Sequence, residues 1–245
     1  MIAIFKKDFA AYFTSTLGYI VLGLYLMFSG YFFWSTCFLS AENNMVKVIN
    51  NMLYVVFFLV PLITMRSFAE EKRQRTDQVL MTAPVKNWEI VCGKYMSAAA
   101  LYFICNMVYF FYTMVLSICV KDIVINWGLL FSGFLGSLLL GLALLAINLF
   151  YSSLTEFQII AAVVGLGTGL VCMLYDSILG AVQNFLYTLF KTQYEFLVLD
   201  KISLTGHYSN LIKGVVDPAD IIFYLSFIAL FLFITGRVLD KKRYE

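Results

Sequence analysis

Glu70, Glu71 and Arg75 are the first side chains in this 245-residue sequence whose types and spacing suggest chemistry. They lie in a charged stretch, Arg66-Ser67-Phe68-Ala69-Glu70-Glu71-Lys72-Arg73-Gln74-Arg75, between two long apolar runs. Adjacent glutamates with an arginine one turn on are candidates for acid–base chemistry, which would need a nucleophile or a histidine placed beside them. The sole histidine is His207, far along the chain, and Ser203, Thr205 and Ser209 beside it form no nucleophile–base arrangement. His207 therefore reads as a surface or packing residue. Glu70 with Gln74 and Glu71 with Arg75 read more simply as partners one helical turn apart, the second pair ionic. No GxxxxGK[ST] loop is present, so the chain does not itself bind ATP. Its five cysteines form no CxxC and read as small apolar packing residues.

The elements that position these residues follow from composition. The chain is 62% hydrophobic and 13% charged, against about 25% charged for a soluble domain. Six runs are long enough to cross a bilayer as helices, at about 20 residues each: Leu17–Leu39, Val48–Met65, Tyr95–Cys119, Trp127–Tyr151, Phe157–Leu179 and Ala219–Val238. None alternates polar and apolar residues as a barrel strand would. Residues 1–245 are thus a single all-α membrane domain. Orientation follows from cations, which favour the cytoplasmic side. With the N-terminus inside, the inner face holds Lys6, Lys7, Arg66, Lys72, Arg73, Arg75, Lys86, Lys94, Arg237, Lys241, Lys242 and Arg243. The outer face holds Lys47, Lys121, Lys191, Lys201 and Lys213. Both termini are then cytoplasmic.

Between the spans, residues 1–16 form an amphipathic helix at the inner interface. Ile2, Phe5, Phe9, Tyr12, Phe13 and Thr16 share one face, with Lys6, Lys7 and Asp8 off it. In the 66–89 loop, Thr76 caps a short helix that carries Val79, Leu80 and Met81 and stops before Pro84. Asn87 caps the helix that follows, with Glu89 in its first turn. Thr155 caps the fifth span, with Gln158 completing a capping box. Residues 180–217 are too apolar for a solvated loop and read as two short external helices dipping into the membrane. Gly165 and Gly169, with Gly133 and Gly136, mark close helix packing. Asn106, Asn148 and Asp176 are the few polar residues within the spans, too few for an ion-driven transporter.

The 66–89 stretch carries a resemblance. Arg66-x-Phe68-Ala69-Glu70-Glu71-Lys72-x5-Gln78-x-Leu80-x-Thr82-Ala83-Pro84-Val85, followed by Gly93-Lys94, resembles the ABC-2 type permeases, nearest the gliding-motility and nitrous-oxide-reductase-assembly branch. Phe9-x3-Phe13-x3-Leu17-Gly18-Tyr19 resembles the N-terminal elbow of that family. Ser152-Ser153-Leu154-Thr155 resembles its inner loop, and Gly214-Val215-Val216-Asp217 its last external turn. Glu70-Glu71-x3-Arg75 also resembles the EExxxR pattern of intramembrane CAAX-type proteases; that resemblance implies histidines within membrane helices as well, and the lone His207 falls on the opposite face, so this reading is disfavoured.

The ABC-2 resemblance implies six transmembrane helices with an interfacial elbow, a cytoplasmic coupling helix and short external re-entrant helices. It implies a non-catalytic permease of a prokaryotic inner or plasma membrane that pairs with a second permease copy or paralogue. Separate ABC ATPase subunits would bind ATP and Mg2+ and drive export; this chain would bind no cofactor, metal or nucleic acid. An auxiliary membrane protein would be a further partner. Phe9, Thr76, Val79, Leu80, Thr82 and Pro84 would meet the ATPase, with Glu70, Glu71, Arg73 and Arg75 supplying polar contacts. Ser153, Thr155 and Glu156 would form a second inner contact. The alternative reading is an ATPase-coupled mechanical transducer that does not itself transport.

Overall fold

The computed structural model describes residues 1–39, 44–75, 86–119, 126–190 and 203–244, and among these the regular elements are helices. In order they are α1 (Ile2–Thr14), α2 (Thr16–Phe33, continued by a π-helical turn, Trp34–Leu39), α3 (Met45–Thr64), α4 (Ala69–Arg73) and α5 (Asn87–Asn106). There follow α6 (Val108–Cys119), α7 (Trp127–Leu154), α8 (Gln158–Phe190), α9 (Leu204–Ile212) and α10 (Pro218–Tyr244). Helices dominate because backbone groups in hydrocarbon must be bonded within their own segment. Six stretches are long and apolar enough to cross a membrane: Thr16–Leu39, Met45–Arg73, Asn87–Cys119, Trp127–Leu154, Gln158–Tyr175 and Pro218–Lys241. The third of these is broken at Met107, where α5 ends and α6 begins.

Helix α7 is the axis of the bundle. Of its most apolar window 78% is buried, against 22% for the corresponding windows of α8 and α10. It packs against α3, α5, α8, α9 and α10. Small residues let its neighbours in: Gly133 faces Ile49 of α3, Gly136 faces Leu211 of α9, and Gly141 receives the ring of Tyr102. Tyr102 then donates to the Ser137 carbonyl at 2.9 Å, and Ser137 Oγ donates to Asn106 Oδ1 at 2.8 Å. Gly165 and Gly169 of α8 likewise lie against Asn148 and Phe57, so this GxxxG serves internal packing. The side chain of Asp176 is outside the described set.

Side chains close the helix ends. Asn44 accepts from the Val46 amide at 3.1 Å, Asn126 from Leu129 at 3.2 Å, and Ser203 from Gly206 at 2.9 Å. Gly214, at φ +87°, ends α9 with its amide bonded to Leu211 and that of Val215 to Asn210. Asp217 caps α10 through the Ala219 amide, and Pro218 occupies the first helical position.

Four local expectations are corrected. Thr155 does not cap α8: the helix starts at Gln158, Phe157 provides the first accepting carbonyl, and Thr155 donates to that same carbonyl. The capping box therefore does not form. Asn87 is the first residue of α5 rather than its cap, which is Lys86. Residues 180–190 continue α8 instead of forming a separate short helix; a helix already satisfied internally has no reason to stop at the membrane face. On α1, Ile2 is exposed, whereas Asp8 turns inward and Ile4 packs against Gly93. The expected cap at Thr76, the coupling helix over Val79–Thr82 and its stop at Pro84 lie outside the described residues.

A methyl group at position 141 would enter the Tyr102 ring. Gly141→Ala is expected to cost about 1–3 kcal/mol through the displaced ring and its lost bond to Ser137, read as a lower thermal midpoint in mild detergent. Gly23→Ala, which meets nothing within 4 Å, serves as the control and should not lower the midpoint, since alanine is the better helix former.

Candidate functional site

The charged residues singled out in the sequence gather at the end of the bundle where α2 starts and α3 finishes. The chain leaves α3 at Thr64, turns through Met65–Phe68 and forms the five residues of α4. Ser152, near the end of α7, fixes that turn. Its Oγ accepts from the Phe68 and Ala69 amides at 3.1 and 3.2 Å. These amides open α4 and have no partner within so short a helix. Lys72 then reaches the Ser153 carbonyl and is itself buried. Of the residues expected to form a second inner contact, Ser153 is buried and bonded to Lys72, Thr155 is half-buried and Glu156 is exposed.

Lys94 is the centre of the site. It lies two turns inside α5 and is 1% exposed. Its Nζ donates to Glu71 Oε2 at 2.9 Å, to the Ser67 carbonyl at 2.7 Å and to Asp8 Oδ2 at 3.3 Å. It also stands 5.1 Å from the centre of the Phe68 ring. One ammonium thus uses its three protons on α1, α4 and the turn before α4. Glu71 receives a second cation, Lys7, at 3.1 Å. Burial works against the charge on Lys7, but the bond and field of Glu71 outweigh it and hold its pKa above the ordinary lysine range.

Glu70 turns the other way, to Arg66 through Nε and Nη2 and to Gln74 at 3.2 Å. The expected Glu71–Arg75 ion pair does not form. Helix α4 ends at Arg73, and Arg75 follows with φ +57°, out of helical register with Glu71. Arg73 and Arg75 are exposed. Phe9 stands in a ladder of rings on α1, 5.6 Å from Phe5 and 5.1 Å from Phe13. Tyr12 ties the end of α1 to the last turn of α3 by donating to the Ile63 carbonyl at 3.0 Å. Asn87 reaches across to Asp240 of α10 at 2.6 Å, which closes the rim. Between α1 and the α3–α4 corner lies a half-open cleft of about 330 Å³, lined by Lys7, Asp8, Ala11, Tyr12, Ser15, Leu17, Arg66, Ser67, Glu70, Glu71, Gln74 and Lys94.

Sequence reasoning missed Lys94 and Asp8 as parts of the site. The signal for Lys94 was a lone cation amid Val91-Cys92-Gly93 and Tyr95-Met96, in a helix continuous with a span. Such a charge needs a partner. Starting the third span at Tyr95 placed it just outside; the helix begins at Asn87. At the other end of the bundle His207 is a packing residue, as one of the two expected roles had it. Its Nδ1 lies 2.5 Å from Asp220 Oδ1, and its ring stacks on Phe223 at 4.2 Å. Asp220 is buried and was not anticipated. Among the described residues no group of three or more His, Cys, Asp or Glu could hold a metal ion.

Arrangements of this kind hold elements in place. Lys94→Met should leave Asp8 and part of Glu71 uncompensated and destabilise the fold by about 3 kcal/mol. Adding Glu71→Gln should recover part of that loss. Thermal denaturation of both variants in the same detergent checks the sign of the second step.

No curated protein matches the sequence significantly. The family model described as "ABC-2 family transporter protein" matches residues 4–205, which take in most of α1, the Lys94 cluster and five of the six apolar spans. A match over that share of the sequence shows the family: the chain belongs to the ABC-2 family of transporter proteins.

Proposed function

We propose that this chain is the permease subunit of an ATP-driven exporter, moved by ABC ATPase subunits that dock on the end of the bundle built around Lys94. The observation that carries this reading is the locking of α1 to α4 by one buried cation. Any force on either element passes to α5 through Lys94 and to α7 through Lys72 and Ser152. That end also holds twelve of the 17 lysines and arginines, which supports a cytoplasmic placement of it and of both termini in a cell membrane. Glu70 and Glu71 face cations of their own chain, so they position the unit. Arg73 and Arg75, exposed at the end of α4, are the residues that would meet the ATPase, together with Phe9 and the 76–85 segment.

In this mechanism closure of the ATPase dimer on ATP and Mg2+ displaces the α1–α4 unit, and the displacement changes how the helices of two paired permeases enclose a path. The second permease is a copy or a paralogue, and an auxiliary membrane protein is a further partner. The chemistry belongs to the ATPase; this chain contributes shape and leverage.

Purification from native membranes in mild detergent is expected to bring down a protein with a P-loop. Recovery of the chain alone, under conditions that preserve other ABC complexes, would overturn the reading. Leu80→Asp should insert normally yet lower permease-stimulated ATP hydrolysis by about tenfold, since a carboxylate would replace an apolar contact. Unchanged stimulation would remove Leu80 from the coupling surface.

A further inference from the structure

The cleft between α1 and the α3–α4 corner has an uneven supply of hydrogen-bonding groups. Its three carboxylates are already engaged by cations of the chain: Asp8 and Glu71 by Lys94, Glu71 also by Lys7, and Glu70 by Arg66. The donors are not used up. Arg66 commits Nε and Nη2 to Glu70, and Nη1 has no acceptor among the described residues. Lys7 makes one bond, and its side chain is 62% exposed. An incoming group at this cleft is therefore offered protons by a guanidinium and an ammonium, the pattern that suits phosphate oxygens.

The depth of the cleft narrows the choice. Tyr12 is bonded to the Ile63 carbonyl, in the last turn of α3, and Leu17 is in the first turn of α2. The apolar spans Thr16–Leu39 and Met45–Arg73 meet beside the cleft. Next to its charged groups its lining includes Ala11, the Tyr12 ring and Leu17. A charged head with an apolar tail is a ligand that matches such a mixed lining at the end of two apolar spans.

We propose that this cleft holds the phosphodiester headgroup of a membrane phospholipid. Arg66 and Lys7 donate to its phosphate oxygens, and Ala11 and Leu17 line the path of its glycerol and first acyl carbons. The bound lipid fills the gap between α1 and α3–α4 and so stiffens the unit that Lys94 assembles. The inference needs only that the chain sits in a membrane, so it stands or falls separately from ATPase coupling.

The test uses the full chain, delipidated in mild detergent and titrated with dioleoyl phosphatidylglycerol under native mass spectrometry. A glucosyl dioleoylglycerol with the same chains and no phosphate serves for comparison. The phospholipid is expected to bind and the glycolipid to bind far more weakly. Lys7→Gln, a change at an exposed side chain that spares the core, should weaken phospholipid binding by about tenfold, the loss of one charge-assisted hydrogen bond. Lys7→Gln with Arg66→Gln should weaken it further, and Lys213→Gln, exposed elsewhere, should leave it unchanged. Equal binding of the glycolipid, or unchanged binding by Lys7→Gln, would overturn the proposal. So would displacement of the lipid by inorganic phosphate at equal concentration, which would make the cleft a free-anion site. A Lys7→Gln chain that keeps its lipid but loses a co-purifying protein would also overturn it, assigning the cleft to a protein partner.

Discussion

In hydrocarbon, a helix gains little by exchanging lipid for another apolar helix, because the two surroundings are alike. Cohesion must come from close approach and from polar groups with nowhere else to go, and this bundle is organised by that constraint. The glycines of α7 let the Tyr102 ring, Leu211 and Ile49 come within contact of its backbone. Tyr102, Ser137 and Asn106 then close a bonded loop between α5 and α7, and Tyr25 bonds Tyr109 at 2.9 Å between α2 and α6. Without those bonds each hydroxyl or amide would stand unsatisfied in a medium that offers no water. The large apolar side chains, by contrast, face outward along α8 and α10, where lipid serves as well as protein.

At the rim the rule changes. Water reaches part of the surface there, and full charges become affordable when they are paired. Burying Lys94 almost completely has a desolvation cost that only several close partners offset. The structure supplies two carboxylates, a carbonyl and an aromatic face. The joint between α1 and α4 is therefore made of charge, whereas the joints deeper in the bundle are made of small residues and neutral hydrogen bonds. One chain uses two adhesives, divided by depth.

The spans were legible because hydropathy over about 20 residues is a strong local signal. The match of residues 4–205 to the family model agrees with the motif reading at the level of the ABC-2 family; the match does not reach to a branch within it. The Lys94 cluster was not legible as a cluster. Its members stand at positions 8, 71 and 94, and nothing local says that they converge. Reading α1 by its apolar period put Asp8 off the packed face, because the method counts only apolar residues and this face is partly ionic. The Glu71–Arg75 pair failed because i,i+4 spacing presumes helix at both residues, and α4 stops at Arg73. Thr155 had the right type for a cap but stands three residues before the first helical position. The His207–Asp220 contact needed the placement of α9 beside α10, which loop composition does not encode.

Burial of Lys94 has a consequence for how the protein responds to electrolyte. Mobile ions screen charges they can approach, over a Debye length of about 8 Å at physiological ionic strength. They approach an ammonium enclosed by Glu71, Asp8, Ser67 and Phe68, and only 1% exposed, far less readily than a surface charge. The Lys94 part of the joint between α1 and α4 is thus less sensitive to salt than Lys7, Arg73 and Arg75 on the surface. Raising ionic strength therefore weakens contacts made by those surface cations before it weakens the joint itself.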